Sequence, residues 1–479
     1  MNRKFIVYTL GKMIQVEGFL MFLPALTGFI YQEKQALVYL FTSLILFVIG
    51  YLVSMHRPQK TKIFAREGFV IVALCWVLLS VLGAIPFCVT GEIPSYVDAV
   101  FETVSGFTTT GSSILTDVEA LSNASLFWRS FSHWIGGMGI LVFVVAVLPE
   151  SQGTDLHILQ AEMPGPIVGK LVSKIKVTAR ILYYIYAALT IVEIVLLVFG
   201  GMPLFDSILH AFGTAGTGGF GIKNTSIAFY DSAYIDTVIT VFMILFGINF
   251  NMIYFVIIGK AMVAFKSEEV RWYLGIIATA AIFITINIMD MYPSILTAFR
   301  YAIFQVGSII TTTGYSTADF NQWPVFSKVI LVLLMFIGAC AGSTGGGMKV
   351  SRIIIYFKSA MAELKRLIHP RSVTSIKFEG QHVSNQTVNN IQTYLVLYLF
   401  LFCGSLLIVS LQNVDFTSAF TAVTTCINNI GPGLNIVGPT GNFSSLTDLS
   451  KIVLSFDMLA GRLEIFPILL LFSKDLWRK

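Results

Sequence analysis

The sequence predicts an all-α polytopic membrane protein. Four pseudo-symmetric helix–pore-helix–filter–helix repeats surround one pore, preceded by two extra transmembrane helices. Three observations carry this. Of 479 residues, 56% are apolar and only 12% are charged, about half of the roughly 25% charge of ordinary soluble domains, and the mean hydropathy is +0.80. Stretches long enough to cross a hydrocarbon core, about 20 residues each, recur along the whole chain. Four outer connections each hold an apolar segment too short to span, followed by a Thr/Gly-rich loop. Composition alone excludes a soluble multidomain enzyme, a disordered chain and a secreted disulfide scaffold.

Membrane-length stretches run near 5–30, 36–55, 68–90, 127–148, 181–201, 235–259, 272–291, 326–357, 391–411 and 450–473. The first continues to Ile30 without a small-residue cleavage site, so it reads as a retained helix and not a signal peptide. With the amino terminus inside, 23 of the 31 Lys and Arg fall on inner segments. They include Arg57 to Arg66, Lys170 to Arg180, Lys260 to Arg271 and seven between Lys349 and Lys377. The positive-inside rule therefore places both termini on the cytoplasmic side. The net charge of +5 is too slight to suggest nucleic acid, and Cys75, Cys88, Cys340, Cys403 and Cys426 show neither a pairing framework nor metal spacing.

The short apolar segments are Tyr96–Phe107, Leu204–Gly213, Ser294–Ile310 and Phe416–Cys426. Segments of this length read as re-entrant. The chain then divides into two amino-terminal helices (1–66), pore repeats one (67–150) and two (151–268), repeat three with an intramembrane loop (269–378), and repeat four (379–479). Asp98, Asp206 and Asp415 stand at the starts of three half-helices and read as amino-terminal caps.

Each half-helix leads into a similar loop. The first is Thr108-Thr109-Thr110-Gly111-Ser112-Ser113, the second Thr217-Gly218-Gly219-Phe220-Gly221, the third Thr311-Thr312-Thr313-Gly314-Tyr315-Ser316, and the fourth Asn428-Asn429-Ile430-Gly431-Pro432-Gly433. All fit the Thr-Val-Gly-Tyr-Gly template of potassium-channel filters, where rings of backbone carbonyls replace the ion's water. The middle glycines are 108, 95 and 117 residues apart. Pointing successive carbonyls one way demands backbone angles that glycine adopts without strain. The potassium-binding positions are therefore Thr110, Gly111, Gly218, Gly219, Thr313, Gly314, Ile430 and Gly431, with Thr109, Thr217, Thr312 and Asn429 beside them. Asp117, Glu119, Asp231 and Asp319 suggest an acidic outer vestibule.

These loops, the two leading helices, the fourth-repeat run Asn428 to Leu434 and the segment Met458 to Phe466 together resemble the TrkH/KtrB superfamily of potassium transport proteins, the TrkH branch in particular. Some plant members of that superfamily carry serine at the first filter position and favour sodium; Gly111 matches the potassium-selective pattern. Asn429 and Ile430 depart from Thr-Val in a way that is itself TrkH-like. The resemblance implies a bacterial inner (plasma) membrane and potassium as the transported ion, with no covalent or organic cofactor. It also implies a homodimer seated on a cytosolic TrkA-like regulatory ring that binds nucleotides (NAD/NADH, ATP/ADP).

Two further features read as gating elements. Gly338 to Lys349 contains Gly342, Gly345, Gly346 and Gly347 within a long hydrophobic stretch. At roughly 1 kcal/mol per glycine this is a poor helix, and irregular backbone at membrane depth persists only where it is buried or lines water. A Walker phosphate loop is excluded, because Met348 separates Gly347 from Lys349. Arg462 lies too deep to snorkel, and an intramembrane charge is a functional hypothesis by default; its structural rival is a pair with Glu464 or Asp457. The resemblance agrees with a gate built from the loop and Arg462. Gly136-Gly-Met-Gly139 and Gly247-Ile-Asn-Phe-Asn251 admit either close helix approach or kinks. His210 reads as a packing residue. The function expected is channel-like potassium uptake by a protein that is not an enzyme; the alternative is a secondary transporter coupled to protons or sodium.

Overall fold

The protein is seen in a computed structural model that describes residues 2–56, 58, 65–139, 175–371 and 375–474. Among them, six helices are long and apolar enough to cross a membrane, and one bent pair makes a seventh. The helix Arg3–Leu20 packs on Gln35–Val53 through glycines. A Cβ on Gly50 would come within 2.3 Å of the Gln15 amide nitrogen, and one on Gly18 within 2.5 Å of that of Phe47. Lipid gives apolar surfaces no reason to associate, so close backbone approach at small residues takes that role.

The expected spans 5–30 and 68–90 are only nicked, at Met21 between Arg3–Leu20 and Phe22–Ile30 and at Ala84 between Ala65–Gly83 and Ile85–Val89, whereas three others are broken outright. The stretch 235–259 is two helices, Ala233–Phe246 and Phe250–Ile257, bent by 105°. The stretch 326–357 is Val325–Ile337, a loop, and then Val350–Ile368. The stretch 450–473 ends as a helix at Arg462 and restarts at Phe466, with Glu464 and Ile465 at φ of +54° and +68°. The stretch 127–148 begins with the helix Asn123–Gly137, and its residues 140–148 lie outside those described.

The four short helices are Tyr96–Phe107, Leu204–Gly216, Ile295–Ile310 and Phe416–Ile427. Only Asp415 caps as expected, accepting from the Ser418 amide at 3.0 Å; hydrogen bonds from Ser418 hold its exposed carboxyl below the usual carboxylate range. Ser95 caps the first helix instead, which leaves Asp98 to pair with Lys451 at 2.5 Å. Asp206 accepts from the Tyr230 hydroxyl at 2.7 Å. Ser and Asp are equally good caps, and in the first helix the serine is one turn closer to the entry.

Candidate ion pathway

Each short helix ends in the same way. The amides of Thr110, Gly218, Thr313 and Ile430 reach back five residues, to the carbonyls of Ser105, Gly213, Ser308 and Thr425. The amides of Thr109, Thr217, Thr312 and Asn429 reach back three. This pair of bonds is the Schellman termination, whose left-handed residue is usually glycine. Here it is Thr109, Thr217, Thr312 or Asn429, at φ of 54°, 54°, 61° and 55°. Two residues later Gly111, Gly219, Gly314 and Gly431 take φ of 81°, 70°, 89° and 101°. Left-handed residues at alternate positions turn successive carbonyls to one side, the arrangement a dehydrated cation requires.

The strips then close on one another. A Cβ built on Gly111 would stand 2.0 Å from the carbonyl oxygen of Gly218. One on Gly219 would stand 1.9 Å from Thr313 O, one on Gly314 2.1 Å from Ile430 O, and one on Gly431 2.9 Å from Thr110 O. The contacts run from repeat one to two, three, four and back to one. A cavity of about 170 Å³ lies against all four glycines. Its lining includes Arg129 and Lys223 but none of Asp117, Glu119, Asp231 or Asp319. Of the acids expected around an outer vestibule, Glu119 pairs with Lys223 at 3.4 Å and Asp117 accepts from Asn224 at 2.9 Å.

Directly behind the first two strips lies a polar cluster that sequence reasoning misses. Glu102 and Arg129 form a buried ion pair at 2.6 Å. Glu102 also accepts from the Ile114 amide at 2.9 Å, and Arg129 donates to Gly221 O at 2.7 Å. Arg129 lies 3.6 Å over the Phe220 ring, on which His133 also packs at 4.2 Å. Each charge is satisfied inside the protein, which makes the burial tolerable. The signal was present, since the rule that isolates Arg462 as an intramembrane charge applies equally to Glu102 and Arg129. His210 sits between the hydroxyls of Tyr230 and Tyr315, at 3.2 and 3.4 Å.

Below the filter, the loop between Val325–Ile337 and Val350–Ile368 packs against the ends of the short helices. The Gly346 amide donates to Thr312 Oγ1 at 2.6 Å. A Cβ on Gly345 would lie 2.9 Å from Thr311 O, and one on Gly346 2.5 Å from Asn428 O. Gly342 faces Asn249, and Gly347 packs on Gly338. The loop also explains the 105° bend. Unwinding at 247–249 frees the Phe246 and Gly247 carbonyls to accept from Thr344 and Cys340, while the Phe250 amide donates to Gly342 O. Lys349 bonds back to Gly345 O.

Arg462 reaches across the same space. Its guanidinium donates to Thr344 O at 2.8 Å, Thr109 Oγ1 at 3.2 Å, Gly137 O at 2.7 Å and Gly136 O. Neither carboxylate of the rival reading takes it. Glu464 pairs with Arg352, and Asp457 accepts from Ser405 at 2.7 Å. Close approach accounts for the first glycine run, where a Cβ on Gly136 would meet Phe107 O at 1.8 Å. The other glycine run combines both readings, since a Cβ on Gly247 would meet the Tyr273 hydroxyl at 2.3 Å beside the bend.

Membrane-length helices around four inward-turned loops define a multi-pass membrane transport protein. The family model TrkH, described as Cation transport protein, matches residues 34–479. The chain belongs to that family. It is 37% identical over the full length of both chains to the Trk system potassium uptake protein TrkH of Salmonella typhimurium. It is 34% identical to the Trk system potassium uptake protein TrkG of Escherichia coli, over 99% of this chain and 98% of that one. The crystal structure of the potassium transporter TrkH from Vibrio parahaemolyticus superposes with a TM-score of 0.89 at 35% identity, covering both chains completely.

Proposed function

We propose that this chain is the membrane subunit of a potassium uptake system, conducting dehydrated potassium inward through the ring formed by Thr110, Gly111, Gly218, Gly219, Thr313, Gly314, Ile430 and Gly431. The observation that carries this is the cyclic contact of four glycines, each fitted against a carbonyl of the next repeat. The relatives, all Trk system potassium uptake proteins, support potassium as the ion. Inward movement of one positive charge gains about 2.3 kcal/mol per 100 mV of inside-negative potential, so the membrane voltage suffices to drive it. The barrier is the loop 338–349 with Arg462, whose charge faces the path below the filter. With both termini in the cytoplasm, the basic inner segments face a TrkA-like ring that binds NAD/NADH or ATP/ADP, and two copies pair as a homodimer.

The test is tracer flux into liposomes holding the purified chain. Potassium and rubidium uptake should follow an imposed voltage without any proton or sodium gradient, and sodium should be excluded. Flux that appears only with a proton or sodium gradient would establish the coupled transporter instead.

A further inference from the structure

Two carboxylates stand between the cytoplasmic side and the intramembrane loop. Glu269, in the first turn of the helix Glu268–Ile288, is 2% exposed. Its Oε1 accepts from the Ala341 amide at 2.7 Å and from the Ser351 amide at 3.1 Å. One donor lies in the loop's entering limb and the other just past its exit, so a single oxygen clasps both ends of the loop. Buried backbone amides need such partners.

The same helix turn is held from below. The Glu269 amide donates to Glu379 Oε1 at 2.9 Å, and Ser267 Oγ donates to the same oxygen at 2.7 Å. Glu379 is at the turn of a small hairpin in which Lys377–Phe378 pairs with Gln381–His382. A carboxylate at a helix amino terminus is favourably placed. Lys358, on the helix that follows the loop, completes the arrangement by bonding Lys377 O at 2.8 Å and pairing with Glu268 at 2.5 Å. The hairpin, the helix start and the loop are therefore joined in series.

We propose that Glu269 is the positioning residue that holds the intramembrane loop under the filter, and that the hairpin 377–382 sets its position through Glu379. Besides its contacts with the bend at 246–250, with Thr312 and with Arg462, the loop is held by Glu269, whose helix start is in turn tied to the hairpin. A partner that displaces the hairpin pulls the helix start, and with it both loop amides. This rests on the reading of the loop as the barrier.

The experiment is basal rubidium flux per folded full-length protein in liposomes, with a loop-shortened variant lacking Gly345 to Gly347 as reference. Glu269→Ala should raise flux several-fold. Glu269→Gln keeps an acceptor oxygen at the same reach and should stay near the parent, a rescue that a bulk packing role would not give. Glu379→Ala should raise flux less, and adding it to Glu269→Ala should add nothing, because the two act in series. A shortened loop that raises flux while both alanine variants leave it unchanged overturns this proposal and keeps the barrier. Loss of the rescue by glutamine also overturns it. A shortened loop without effect overturns the barrier reading and this inference together. If Glu269→Ala fails to fold, Glu379→Ala decides.

Discussion

The side chain that Gly111 lacks would occupy the position of the Gly218 carbonyl oxygen, only 2.0 Å away. The first strip can therefore lie against the second only as glycine. The same holds at Gly219 and Gly314, with clearances of 1.9 and 2.1 Å, whereas Gly431 has 2.9 Å.

This ordering is a prediction about selectivity. Gly111→Ser should admit sodium far better, because the new Cβ displaces one carbonyl from the ring and the left-handed backbone adds about 1–2 kcal/mol of strain. Gly219→Ala and Gly314→Ala should behave alike, and Gly431→Ala should be the mildest of the four. Paired potassium and sodium flux measurements give the ranking directly. An unchanged ion preference in Gly111→Ser would remove the first repeat from the filter.

A second prediction concerns His133. A Cβ on Gly218 would sit 1.4 Å from His133 Nδ1, and neither ring nitrogen has a hydrogen-bond partner among the described residues. Gly218→Ala should abolish flux or folding, while Gly218→Ala with His133→Ala should recover folded protein. Monodispersity in detergent followed by flux measures both. Equal damage in the single and double variants would mean that the ring is not what excludes the side chain.

Arg462 supplies the third. At an effective dielectric of 20, a unit charge about 6 Å from a passing ion costs roughly 3 kcal/mol. Arg462→Ala should raise basal flux, and even about 1 kcal/mol of relief is several-fold in rate. Arg462→Lys keeps the charge but cannot span the Thr109, Thr344, Gly136 and Gly137 acceptors at once. It should fall between the parent and alanine. Unchanged or lower flux in folded Arg462→Ala protein would make the arginine a brace and not a barrier.

The fourth concerns the buried pair behind the filter. Arg129→Leu strands the Glu102 carboxylate, and removing one partner of a buried ion pair costs about 3–5 kcal/mol. Its thermal midpoint should drop well below that of the parent. Arg129→Leu with Glu102→Leu should recover part of the loss but not the anchor that Glu102 gives the Ile114 amide. A midpoint unchanged in Arg129→Leu would show that the pair contributes nothing.

Much of this was legible in the chain. The short helices were found to within three residues, because Thr and Gly end an apolar run visibly. The loop 338–349 was found because five glycines cannot continue a helix. The breaks at Met21 and at 463–465 were not, since hydropathy runs through them unbroken. What interrupts the second is backbone geometry at Glu464 and Ile465. Partners were the least legible. Arg462 meets Thr109 and Gly136 across 353 and 326 residues of sequence, while the nearby Glu464 turns to Arg352. Spacing along one helix says little about a charge that reaches across the molecule.

The closed circuit of contacts from Gly111 through Gly219, Gly314 and Gly431 is made by one polypeptide. In an assembly of four identical subunits, one altered codon changes every side of the ring at once. Here it changes one side and leaves three. On the proposed reading of the ring, discrimination between ions can therefore be altered one quarter at a time. The same asymmetry lets the flanks specialise: repeat one rests on a buried ion pair, while repeats three and four carry the loop on Thr312 and Asn428.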